Sequence, residues 1–240
     1  MKKRMVILGG GESGVGAAIL AKQKGYDVFL FDEGSLKDGY RNELKQASVE
    51  FAEKETDENF IIAADEVVKS PGIPDTNAWV RKVRDKGIPI ISEIELAYRF
   101  KNDSKIIAIT GSNGKSTTTA LIYHICKTAG LDCALVGNIG YSFAKQVAED
   151  PKALYVAEIS SFQLDDIREF RPDIALLLNI TEDHLDRYDY KFENYISSKF
   201  RITMNQTSND YFIYNEDDEV ITSYLKLINP LSKLTPLSMK

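Results

Sequence analysis

The densest chemistry in the chain sits at Gly111-Ser112-Asn113-Gly114-Lys115-Ser116-Thr117. This run follows the apolar segment Ile106–Ile109 and Thr110, and it opens a helix-compatible stretch that reaches Ala129 before Gly130. Glycines at a strand-to-helix corner let backbone amides turn inward around phosphate oxygens. A lysine there reaches the β- and γ-phosphates, and the next hydroxyl can ligate magnesium. The seven residues are therefore candidates for binding ATP, with Lys115 also catalytic and Ser116 also a metal ligand. The loop departs from G-x-x-x-x-G-K-[ST], because Ile109 stands where the first glycine belongs.

Two polar clusters follow. Glu158 ends the apolar run Leu154–Ala157 and precedes Ile159-Ser160-Ser161-Phe162-Gln163-Leu164. A carboxylate at a strand's C-terminal end, on the edge where the phosphate loop opens, is placed to hold a nucleotide magnesium; the competing account is a helix-capping acid. After Ile174–Leu178 comes Asn179-Ile180-Thr181-Glu182-Asp183-His184-Leu185-Asp186-Arg187-Tyr188, where neutral His184 can bind a second metal. His124, inside an amphipathic helix, is assigned to packing. Lys199, in a helix expected over Phe192–Met204, reads by itself as a solvated surface lysine.

A second corner stands near the start. Gly9, Gly11 and Gly14 match G-x-G-x-x-G between the strand Met5–Leu8 and a helix expected over Val15–Lys24, and Asp32 ends the next strand. The glycines bring backbone N–H groups close to a pyrophosphate at a helix N-terminus, where the helix dipole favours anions. That device suits many nucleotides, NAD(P) among them, and it also suits a turn that only packs.

The elements that must position these groups alternate. Further strands are expected at Asp27–Phe31, Glu66–Lys69, Ile88–Ile91, Ile106–Ile109, Ala134–Val136, Leu154–Ala157, Ile174–Leu178 and Tyr211–Tyr214, with helical stretches between them. Strand–helix alternation favours α/β architecture with mainly parallel sheets. The expectation is a Rossmann-like domain over 1–102, then a partial P-loop ATPase-type domain over 103–240, with the boundary in the polar segment Lys101-Asn102-Asp103-Ser104.

Composition narrows the classes. The 240 residues carry 36 acidic and 30 basic side chains, a net charge of -6, so nothing draws the chain to nucleic acid or anionic membrane in general. The only cysteines, Cys126 and Cys133, lack metal-ligand spacing and read as reduced packing residues. The apolar run Met5–Leu8 is too short for a signal peptide or membrane span, which points to the cytoplasm.

Together, Thr110–Thr117, Glu158–Leu164 and Asn179–Tyr188 resemble the Mur ligases. Ser70-Pro71-Gly72-Ile73, Ser160–Leu164 and Gly137-Asn138-Ile139-Gly140 resemble their D-glutamate-adding branch. The resemblance spans the chain but implies a longer, three-domain enzyme, so we expect truncation before a C-terminal domain that contributes to adenine and D-glutamate binding. It implies an ATP-dependent ligase that joins D-glutamate to UDP-N-acetylmuramoyl-L-alanine through an acyl phosphate in cell-wall precursor synthesis. Glu12, Ser13, Asp32, Glu33, Gly72, Asn138 and His184 would bind the UDP-sugar. Ser116 and Glu158 would hold one magnesium, and catalytic His184 and Lys199 a second, Lys199 as a carbamate. A monomer is expected, and a 240-residue piece alone is expected to be inactive. The alternatives are a nucleotide-responsive binding protein and, less favoured, an NAD-dependent oxidoreductase.

Overall fold

The computed structural model describes residues 2–238. In chain order, the elements begin β1 (Arg4–Leu8), α1 (Glu12–Gln23), β2 (Asp27–Asp32), α2 (Asp38–Gln46), β3 (Glu50–Glu53), α3 (Glu58–Ile62), β4 (Glu66–Lys69), α4 (Ala78–Asp85), β5 (Ile90–Ser92) and α5 (Glu93–Phe100). They continue with β6 (Lys105–Thr110), α6 (Lys115–Thr128), β7 (Cys133–Gly137), α7 (Phe143–Glu149), β8 (Leu154–Glu158), α8 (Ser161–Asp165) and β9 (Ile174–Leu177). The last are α9 (Phe192–Phe200), β10 (Tyr211–Asn215), α10 (Glu219–Ile228) and β11 (Lys233–Leu237).

These elements form two compact units, each built on an all-parallel sheet. The first holds the chain through Lys101 together with Tyr141–Pro151 and Asp166–Arg168. Its strand order is β3-β2-β1-β4-β5. Met5, Val6, Ile7 and Leu8 of β1 are all essentially inaccessible, as a central parallel strand covered on both faces requires. Helix α1 is buried from Gly14 to Ala21, because its small residues let it pack on the sheet and on α5 and α7.

The second unit has the order β11-β10-β9-β6-β8-β7. Ile109, Val156 and Leu176 meet Ile122, Tyr123 and Cys126 of α6 on one face. Phe212 packs on Phe200, which in turn packs on Tyr224. The central strand β6 ends where the phosphate loop begins.

Several expected boundaries move. Helix α1 starts at Glu12 rather than Val15, since Gly11 supplies the extended N-cap and Val15 N–H already bonds Gly11 O at 2.9 Å. The helix from Phe192 stops at Phe200 and tightens into a 3-10 turn over Arg201–Thr203. His124 is exposed on α6 rather than packed, because the helix turns Ile122, Tyr123 and Cys126 to the sheet. Both cysteines are free and half-buried. Among the described residues, no helix is long and apolar enough to cross a membrane.

Candidate functional site

The first corner is set by Asp32. Its carboxylate accepts Gly10 N–H at 2.6 Å through Oδ2 and Gly34 N–H at 2.7 Å through Oδ1. Hydrogen bonds to a charged acceptor contribute about 1.5–3 kcal/mol each, so this side chain holds the turn at the head of α1. Gly14 must lack a side chain, since a Cβ there would sit 1.9 Å from Gly9 O. Ser13 follows Glu12 in the first turn of α1, half-buried.

Glu12 places a carboxylate at a helix N-terminus, where a phosphate would otherwise belong. The structure turns it aside, because Tyr40 OH donates to its Oε2 at 3.2 Å and Ser142 N–H to its Oε1 at 3.4 Å. Below it, buried Glu93 accepts Ser142 O–H and Ala144 N–H, both at 2.6 Å, and so caps α7. Burial, joined by the negative charge of Glu12, raises the Glu93 carboxyl to about 7 against the pull of those bonds.

A cavity of about 110 Å³ opens beside this corner, lined by Leu8, Gly9, Phe31, Asp32, Glu33, Ile73, Asn77 and Trp79. Asn77 caps α4 by accepting Trp79 N–H at 2.8 Å and donates to Glu33 Oε2 at 2.8 Å, which fixes the carboxylate at the rim. Gly72 lies exposed in the loop between β4 and α4. Asn77 and Trp79 were missed from sequence; the helix-capping asparagine was a usable signal, the aromatic was not.

The second corner is built in the second unit. Gly114 caps α6 in the left-handed region, φ 81°, a conformation glycine adopts without penalty. Lys115 Nζ donates to the carbonyls of Gly111 and Ser112 at 3.0 and 2.9 Å. Ser116 and Thr117 are exposed in the first turn of α6. The loop is stapled to the segment after β9: Ser112 N–H donates to Asn179 O at 2.9 Å and Asn113 N–H to Asn179 Oδ1 at 2.8 Å. Ser112 Oγ donates to Thr181 O at 2.9 Å, accepts Thr181 N–H at 3.0 Å and lies 3.2 Å from Tyr195 OH. Asn179, Thr181 and Tyr195 thus fix the loop, and only the polar cluster they border hinted at it.

Lys199 is not a surface lysine. It is 1% exposed, and its Nζ donates to Gly111 O at 2.7 Å, the carbonyl that Lys115 also uses. Its ammonium lies over the Tyr195 ring at 4.5 Å. Burial foremost, then repulsion by Lys115, lowers its amine to about 7 against the opposing carboxylates of Asp183 and Asp165.

Glu158 is buried at the end of β8. Asn138 Nδ2 donates to its Oε1 at 2.7 Å, while Oε2 has no hydrogen-bond partner; Thr110 Oγ1 is a second buried oxygen without one. An orphaned carboxylate oxygen fits a cation better than it fits a helix cap. Among the described residues, no three His, Cys, Asp or Glu side chains cluster into a metal site. One carboxylate, a hydroxyl, phosphate oxygens and water is a donor set that magnesium accepts. Half-exposed His184 stands against the Phe162 ring at 5.2 Å and 3.5 Å from Asp183, in a left-handed conformation, φ 51°.

Two all-parallel sheets, each opening a glycine corner at the head of a helix, define an α/β protein with two Rossmann-like units. The Mur ligase middle domain family matches residues 109–234, and the Mur ligase MurD-like N-terminal domain family matches residues 3–92. The chain belongs to the Mur ligase family. It is 53% identical over 240 residues to the UDP-N-acetylmuramoylalanine--D-glutamate ligase of Christiangramia forsetii, covering all of this chain and 54% of that protein. The ligase of the same name from Bacteroides fragilis is 55% identical over 236 residues, 98% of this chain and 53% of its own length. The chain thus spans about half the length of these curated relatives. Among solved structures, the UDP-N-acetylmuramate:L-alanyl-gamma-D-glutamyl-meso-diaminopimelate ligase of Neisseria meningitides covers 98% of this chain and 78% of its own, with TM-score 0.68 and 19% identity. The UDP-N-acetylmuramate-alanine ligase of Thermotoga maritima covers 94% and 51%, with TM-score 0.58 and 21% identity. These two likenesses establish a shared fold.

Proposed function

We propose that the chain carries the uridine-nucleotide and ATP sites of a cytoplasmic ligase that joins D-glutamate to UDP-N-acetylmuramoyl-L-alanine at the expense of ATP. In domain terms, 1–102 takes the UDP-sugar and 103–240 takes ATP, while the half of the relatives that this chain does not match supplies most of the D-glutamate pocket and part of the adenine pocket. The observation that carries the reading is the second corner, where two lysines converge on one carbonyl at the mouth of a phosphate loop.

In the first step, an alanyl carboxylate oxygen attacks the γ-phosphorus of ATP, the bond to the β-phosphate oxygen breaks, and ADP leaves. In the second, the D-glutamate amine attacks the acyl carbon, phosphate departs with the bonding pair, and the amine proton passes to solvent. Two anions meet in the first step, so catalysis is positioning and charge compensation. The amides of Gly111–Ser116 wrap the phosphates, and Lys115 exchanges its loop carbonyls for phosphoryl oxygens. Bound magnesium would neutralise charge on the transferring phosphoryl group. Ser116 and Glu158 would hold one ion, with Asn138 fixing the Glu158 rotamer; His184 and Lys199 would serve a second.

A cationic lysine repels a metal, whereas a carbamate attracts one. Addition of CO2 needs the neutral amine, and an ordinary lysine offers only about one neutral molecule in three thousand at pH 7. The depressed value of Lys199 supports the carbamate, which carbon-13 bicarbonate labelling should reveal as a carbonyl signal that Lys199→Arg abolishes.

Asp32 spends one acceptor site of each oxygen on a backbone amide of the turn, which leaves a site on each for a nucleotide. The test of the whole reading is ADP release by the full-length protein, which should require both the UDP-sugar and D-glutamate; release with either one alone would refute it. The isolated chain should bind UDP-N-acetylmuramoyl-L-alanine in a calorimeter, bind ATP only weakly, and turn over neither.

A further inference from the structure

We infer that Lys69 is a positioning residue for the nucleotide diphosphate, acting through the loop Ser70–Pro74 that it fastens. This rests on reading the first unit as the uridine-nucleotide site. Lys69 ends β4 and is 3% exposed. Its Nζ meets Asp75 Oδ1 at 2.9 Å and Asp166 Oδ2 at 3.0 Å. Asp75 stands just past the loop, so the first of these pairs ties the loop's two ends together. Arg84 of α4 completes the network, 3.0 Å from Asp75 and 3.5 Å from Asp166, which gives two cations and two anions. Asp166 is itself buried and anchored, since its carbonyl accepts Ser92 N–H at 2.9 Å.

The fastened loop leans on the glycine corner. Ser70 N–H donates to Leu8 O at 2.9 Å, Ser70 Oγ to Gly9 O at 3.4 Å, and Ile73 N–H to Ser70 O at 3.0 Å. A Cβ on Gly9 would come within 2.7 Å of Ser70 Oγ, so no slack separates the two segments. Gly9 and Ile73 also line the same cavity. A displacement of the loop therefore moves both the phosphate turn and the cavity wall. Buried ion pairs add little net stability over well-packed apolar groups of equal volume. What this network supplies is the place of the loop.

The test compares Lys69→Met, Lys69→Arg and Asp75→Asn in the 240-residue chain, with UDP as the calorimetric probe and amide exchange at Ser70 and Ile73 measured without nucleotide. Lys69→Met should weaken UDP by about tenfold or more, some 1.4 kcal/mol. It should also speed exchange at Ser70 and Ile73 while Val6–Leu8 stay protected, and Lys69→Arg should restore both. Asp75→Asn leaves the buried pair with Asp166 intact, so it remains decisive if Lys69→Met fails to fold; it too should free the two loop amides. Unchanged exchange at those amides in Asp75→Asn overturns the inference. So does a loss of protection spread evenly over β1, the mark of a merely structural role. A wild-type chain that ignores UDP would refute the uridine reading separately, and exchange would then decide the clamp by itself.

Discussion

The two glycine corners are braced by opposite means. The first has amides, a helix dipole and a turn braced by the carboxylate of Asp32; the acid on its helix, Glu12, is drawn aside by Tyr40 and Ser142. The second has amides braced by Asn179 and Thr181, plus two lysines on one carbonyl. A diphosphate that is only held needs geometry, which backbone supplies. A phosphoryl group that is transferred redistributes its charge, and that demands positive charge placed in advance.

Removing the cation gives the largest contrast. Lys115→Ala should lower ADP release by the full-length enzyme by about a hundredfold to a thousandfold, the scale of deleting one preorganised donor to a developing charge. UDP binding by the 240-residue chain should not change. Equal losses at both would show that the corners do not work independently.

Geometry should dominate at the first corner. Gly14→Ala drives a Cβ to within 1.9 Å of Gly9 O, so we expect stability to fall by about 1–3 kcal/mol and UDP binding to vanish. Gly11→Ala meets nothing within 4 Å and should leave the denaturation midpoint in place. Should Gly14→Ala bind UDP normally, the close approach at that turn is not what shapes it.

The same residues show what could be read ahead of the structure. Strands β1, β4, β6 and β8 were legible because both faces are buried and their apolar runs end abruptly at glycine or polar residues. Of the four edge strands, β5 and β7 were expected and the other two were not: β3 reads Glu50-Phe51-Ala52-Glu53, and β11 contains Pro236, which an edge tolerates but a sequence pattern counts against a strand. At the candidate site, types and spacing singled out the glycine loop before α6 and the acid Glu158 at the end of β8. Burial of Lys199 was missed although Phe192, Tyr195, Ile196 and Phe200 place it on the apolar face of α9; what no spacing could show is the carbonyl it meets, 88 residues away. The braces Asn179, Thr181 and Tyr195 escaped for the same reason, as each acts on a loop far off in sequence.

Buried charge separates the two units in their response to pH. Glu93 in the first has its carboxyl raised from 4.5 to about 7, so the folded state binds more protons than the unfolded between those values and stability falls as pH rises through them. Lys199 in the second has its amine lowered from 10.5 to about 7, so the unfolded state binds more protons there and stability falls as pH drops from 10.5 towards 7. Urea titrations across pH should show Glu93→Gln flattening the first slope and Lys199→Met flattening the second. If either variant flattens both slopes, the two groups do not titrate separately.

The finest distinction concerns a single hydroxyl. Tyr195 is 1% exposed; its OH lies 3.2 Å from Ser112 Oγ and its ring lies 4.5 Å below the Lys199 ammonium, so it ties loop and lysine together. Tyr195→Phe keeps the ring and therefore the lysine's place, while Ser112 Oγ retains both its bonds to Thr181. The loss should be one neutral hydrogen bond, about 0.5–1.5 kcal/mol. In the full-length enzyme it should appear as a KM for ATP raised a few-fold, with kcat nearly constant, because Lys115 and Lys199 stay where they were. A collapse of kcat would instead mean that the hydroxyl touches the transferring group, and the second corner would then owe its chemistry to more than its two lysines.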